Sequence, residues 1–97
     1  MDIAQESVSG FATGQGTVGT TSQPLIAAGY AHKAYKGVTV RASGTNTGLI
    51  YIGMQGIKTT NGFSLPAGDK VEIPVDDPSK VFVIADAAGQ GYSWLAA

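Results

Sequence analysis

The one literal match to a cofactor motif is Gly14-Gln15-Gly16-Thr17-Val18-Gly19, which has the G-x-G-x-x-G spacing. That fingerprint binds a pyrophosphate when a strand precedes it and a helix N-terminus follows it. Here no apolar strand precedes it, Thr20-Thr21-Ser22-Gln23-Pro24 follows, and no acid lies about 20 residues on. These glycines are read as turn or strand-crossing positions, and no nucleotide is expected. The single histidine, His32, has the chemistry of a base, a metal ligand or a pH sensor. No nucleophile elbow accompanies it. With no cysteine in the chain, neither a zinc site nor the multi-histidine centre of cupin enzymes can be assembled. His32 therefore reads as a surface or interface residue flanked by Lys33 and Tyr35.

The acids are Asp2, Glu6, Asp69, Glu72, Asp76, Asp77 and Asp86. A glycosidase needs two carboxylates facing one cleft roughly 5 to 9 Å apart. Asp69, Asp76 and Asp77 fall instead in turn-forming stretches, where aspartate hydrogen-bonds its own backbone. Asp76-Asp77 also lacks the alternating oxygen ligands of a calcium loop. Tyr30, Tyr35, Tyr51, Tyr92 and Trp94 would suit a sugar-stacking platform, yet they are not grouped in one loop with amide partners. No cofactor, metal or catalytic residue is assigned.

The elements that would position these residues are strands. Val38, Val40 and Ala42 alternate with Thr39 and Arg41, the period of a strand with one wet face. Ser43 to Gly48 is small and polar and predicts a reversal, after which Leu49 to Ile52 reads as the partner strand. Asn61-Gly62 predicts a turn through positive φ, and Pro66-Ala67-Gly68-Asp69 another. Val71, Ile73 and Val75 alternate with Lys70, Glu72 and Pro74, so this strand belongs at an edge. Pro24 marks an edge or a break in Gly16 to Ile26 in the same way. Tyr92 and Trp94 share a face of the last strand.

Roughly seven or eight short strands at spacings of about 8 to 12 residues predict an all-β, compact β-sandwich, with jelly-roll connectivity one arrangement of it. Residues 1–15 fit neither strand nor helix period and are read as an N-terminal arm, with residues 16–97 as a single β-sandwich domain. The chain has 97 residues, 13% of them charged, and a formal net charge of −1. Nucleic acid normally demands a basic face, so it is not expected as a partner. No apolar run approaches the roughly 18 residues of a membrane span, and Met1 to Gln15 lacks the pattern of a signal peptide. No membrane is expected as a partner.

Two segments, Leu49 to Ile52 and Val81 to Ala85, are apolar on both faces, more than a two-layer sandwich needs. Homo-oligomerisation would bury the surplus. At about 25 cal/mol per Å², several hundred Å² per subunit offers on the order of 10 kcal/mol before association costs. Leu49, Tyr51, Phe82, Ile84 and Trp94 are the candidate interface residues.

Along Val38–Ala42, Thr45–Gly53, Asn61–Asp69, Asp76–Ala85 and Ser93–Ala96 the chain resembles small structural proteins of tailed bacteriophages. Its most recognisable element is the Asn-Thr-Gly turn before an apolar strand ending in glycine. The family includes capsid decoration or cement proteins, many of them trimers of small β domains seated at local three-fold positions, and head-fibre and tail components. The resemblance implies a non-enzymatic structural protein on the virion capsid surface, assembled in the host cytoplasm. Its implied partners are copies of itself, a trimer being favoured, and the major capsid protein. A carbohydrate-binding adhesion module of a head fibre or tail is the alternative. Residues 1–15 take no part in the resemblance. For shell contact the candidates are Ile3, Val8 and Phe11 of the arm, with Tyr30, His32, Lys33, Tyr35 and Lys36.

Overall fold

The computed structural model describes residues 11–26 and 36–97. These form eight strands: β1 (Ala12–Val18), β2 (Gln23–Pro24), β3 (Val38–Ala42), β4 (Ile50–Gly53), β5 (Phe63–Leu65), β6 (Lys70–Ile73), β7 (Phe82–Ala85) and β8 (Gln90–Ala96). One 3-10 turn, Pro78–Lys80, precedes β7.

The strands make two four-stranded antiparallel sheets, ordered β1-β8-β3-β6 and β2-β7-β4-β5. The pairs β1–β8, β2–β7, β3–β6 and β4–β5 are those of one long antiparallel ribbon folded in half. Rolling that ribbon adds β8–β3 and β7–β4. This is jelly-roll connectivity. It explains why β3 and β4, expected to pair across the turn at Ser43–Gly48, do not: the turn carries the chain from one sheet to the other.

Alternation decides which side chains enter the core. Val38, Val40 and Ala42 face inward from β3, with Tyr92, Trp94 and Ala96 beside them on β8 and Val71 and Ile73 on β6. Ile50, Ile52, Val83, Ala85 and Leu65 oppose them from the second sheet. Tyr92 also ties the layers together, its hydroxyl donating to the carbonyl of Leu25 at 3.0 Å and accepting from Gln23 Nε2 at 3.3 Å.

Edges fall where the prolines predicted. β2 ends at Pro24, and β6 is followed by Pro74. The boundary drawn for the arm at Gln15 falls inside β1, which begins at Ala12. Its glycines are strand-interior residues rather than turns. A Cβ on Gly14 would lie 2.6 Å from Trp94 Cε2 and Cζ2, and one on Gly16 2.6 Å from the Tyr92 hydroxyl. The two aromatic rings lie across the β1 backbone, where only glycine leaves them room.

The turns differ in how closely they follow expectation. At Pro66–Asp69 the Asp69 N–H donates to the Pro66 carbonyl at 3.0 Å, with Gly68 at φ +84, as a type II turn requires. Asn61-Gly62 behaves otherwise, since neither residue has positive φ. The N–H groups of Asn61 and Gly62 both donate to the Lys58 carbonyl, while Asn61 Oδ1 accepts from Lys58 N–H at 2.9 Å. A short helical turn closed by the asparagine side chain replaces the hairpin turn.

Candidate functional interface

The outer face of the sheet β2-β7-β4-β5 is apolar. Tyr51 stands directly opposite Ile84 and Gly53 opposite Phe82, all on the side away from the core. One step further along, the Leu49 carbonyl accepts from Asp86 N–H, which places Leu49 on the same face. Ile57, from the β4–β5 connection, folds back so closely that a Cβ on Gly53 would meet its Cγ2 at 2.5 Å. Met54, just after β4, is 68% exposed, and Phe63, on the edge strand β5, is 60% exposed but lies opposite Ile52, on the other side of the sheet from Tyr51.

Four of the five interface candidates therefore share one face: Leu49, Tyr51, Phe82 and Ile84. Ile84 is only 8% exposed in the single chain, so the surplus left for a partner is smaller than the sequence implied. It rests on Leu49, Tyr51 and Phe82, which are half-buried. Ile57 was missed because an isolated apolar residue in a polar connection carries no periodic signal. Trp94 does not join the other four candidates. It faces inward across β1 in the other sheet, packed against the core.

The outer face of the sheet β1-β8-β3-β6 has the opposite character. Thr13, Gln15, Thr39, Arg41, Lys70, Ser93 and Leu95 line a shallow depression of about 310 Å³ together with Gly14 and Trp94. Arg41 and Lys70 are directly opposed in register. Among the described residues no carboxylate lines this depression. Among the described residues no three of His, Cys, Asp and Glu gather into a metal-binding group.

Of the shell-contact candidates, Ile3, Val8, Tyr30, His32, Lys33 and Tyr35 lie outside the described residues. Phe11 and Lys36 are both exposed, Phe11 by 68%. They sit at the same end of one sheet, because Ala12 and Val38 flank Ala96 from either side. There the Lys36 N–H donates to the Ala97 carbonyl at 2.6 Å.

At the opposite end, the turn between β3 and β4 is clamped to the β7–β8 connection. Buried Gln90 accepts from Thr47 N–H at 3.0 Å and Gly48 N–H at 2.8 Å through Oε1, and donates through Nε2 to the Ala88 carbonyl at 2.8 Å. Asp86 Oδ1 accepts from Leu49 N–H at 3.0 Å. This end is a structural latch that sets where β4, and so the apolar face, begins.

Comparison with protein-family models, curated proteins and solved structures finds no match to this chain.

Proposed function

We propose that the chain is a non-enzymatic structural protein of a phage virion, a capsid cement or decoration protein that associates with itself and stabilises the shell. The observation that carries this reading is the contrast between two outer faces, one polar and one apolar. An exposed apolar sheet face rimmed by polar loops is a surface for protein contact. A jelly roll alone decides nothing, since lectins, enzymes and capsid proteins share it.

In this reading Leu49, Tyr51 and Phe82 meet the same face of neighbouring copies. A cyclic trimer is the favoured assembly, because it suits the local three-fold positions of a capsid. The end of the sandwich that bears Phe11 and Lys36 would face the shell. A protein that binds only the assembled lattice stabilises it by mass action. The sugar-binding alternative has less support, because Tyr92 is buried and Tyr51 and Trp94 are half-buried. Tyr92 and Trp94 face the core from β8 while Tyr51 lies on the outer face of the other sheet, so they do not form one platform.

Labelling virions with antibody against this protein and imaging them by negative stain tests the assignment. Regularly spaced label over the head supports it, whereas label confined to tail or fibre, or none at all, contradicts it.

A further inference from the structure

Of the four sheet edges among the described residues, three carry features that block pairing with another strand. β2 is two residues long and ends in Pro24, β5 is three residues long, and β6 carries Lys70 and Glu72 and runs into Pro74. β1 has none of these. It is seven residues long, without charge or proline, and among the described residues β8 is its one neighbour in the sheet.

The backbone phase of this edge follows from β8. Ser43 N–H donates to the Gly91 carbonyl at 3.0 Å and Ala97 N–H to the Gly37 carbonyl at 3.1 Å. Odd-numbered residues of β8 thus bond toward β3, and even-numbered ones toward β1. In β1 the even-numbered residues meet β8, leaving Thr13, Gln15 and Thr17 with backbone groups aimed at the open edge. Gln23 Nε2 independently shows this direction by donating to the Thr17 carbonyl at 2.9 Å. That oxygen keeps a second lone pair.

The sequence of β1, Ala-Thr-Gly-Gln-Gly-Thr-Val, reads almost the same in both directions about Gln15. We infer that β1 is a two-fold pairing edge, joining a second copy of this chain antiparallel about Gln15 into one continuous eight-stranded sheet. In that register Gln15 meets Gln15, Thr13 meets Thr17, Gly14 meets Gly16 and Ala12 meets Val18. Each outward-facing residue then exchanges backbone hydrogen bonds with an outward-facing residue, so sequence symmetry and backbone phase agree. Backbone phase rules out only a centre between two residues, which would oppose an outward-bonding to an inward-bonding residue; among centres on a residue, the sequence symmetry selects Gln15. Thr–Thr pairs are favourable cross-strand neighbours, and the absence of charge means that no like charges oppose. A second copy is the partner whose strand is complementary by construction.

This contact lies on a different sheet from the apolar face and is independent of the function proposed above. Together they would join trimers across two-fold axes.

The test exploits the fact that residue 15 faces itself. Gln15 is exposed and lies opposite Ser93 within its own sheet, so Gln15→Lys and Gln15→Glu should leave the fold intact by circular dichroism. Each variant alone is expected to halve the mass of the assembly by sedimentation, because like charges meet at the axis. An equimolar mixture is expected to restore it. Native mass in both single variants, or no recovery on mixing, overturns the inference. Gln15→Cys gives a second readout, since it would be the sole thiol in the chain. Opposed residues in such a pair have Cα atoms about 5.5 Å apart, within disulfide reach. Oxidation should yield a covalent dimer, and its failure to form also overturns the inference. Neither outcome depends on whether virions contain the protein.

Discussion

The side chain of Asn46 pairs with the backbone of Gly91 as a strand would. Gly91 N–H donates to Asn46 Oδ1 at 2.7 Å, and Asn46 Nδ2 donates back to the Gly91 carbonyl at 2.9 Å. One asparagine thus continues the β3–β8 ladder past the point where β3 turns away to the other sheet. Asn46→Ala removes both bonds and should lower stability by about 2 kcal/mol, read from the midpoint of urea unfolding at unchanged slope.

Gln90 acts beside it. Gln90→Leu keeps the bulk and leaves the N–H groups of Thr47 and Gly48 without their acceptor, at a cost of about 3 kcal/mol. The two substitutions share one turn, so the double variant should lose less than the sum. Strict additivity would show that the two side chains hold the turn independently.

Gly14→Ala should push the Trp94 ring off β1. The expected cost is about 1 to 3 kcal/mol. Trp94 is the single tryptophan, so intrinsic fluorescence reports the displacement directly as a red shift. An unshifted spectrum with native stability would mean that the ring does not depend on this glycine.

Several of these relationships were open to reading from sequence and others were not, for a physical reason. The alternation of Val38, Val40 and Ala42 with Thr39 and Arg41 is local and has one wet face, so it announced its strand and its buried side. Pro24 and Pro74 marked edges because a missing N–H is a local fact. The roles of Gly14 and Gly16 depend on Trp94 and Tyr92, and that of Asn46 on a residue 45 positions away. No window of sequence contains both partners. The expected pairing of β3 with β4 failed for the same reason: partners across the molecule hold the turn open between two sheets. Asn61-Gly62 looked like a hairpin turn because the asparagine's alternative, bonding the Lys58 N–H, is equally available to that dipeptide.

The apolar face makes its own prediction. Phe82→Gln reduces the apolar surface of that face while Phe82 is only half-buried in the chain, so it should weaken self-association at least about tenfold, a loss of roughly 1.4 kcal/mol or more. Leu95→Gln, on the polar face of the other sheet, should leave association unchanged. Dilution series by sedimentation velocity compare the two.

The most direct test of the account is the mass of the native chain in solution, by multi-angle light scattering at micromolar concentration. Self-association through the apolar face predicts three chains per particle, or six where the β1 edges also join. A particle of 9.9 kDa, the mass of one chain, across that range would contradict it.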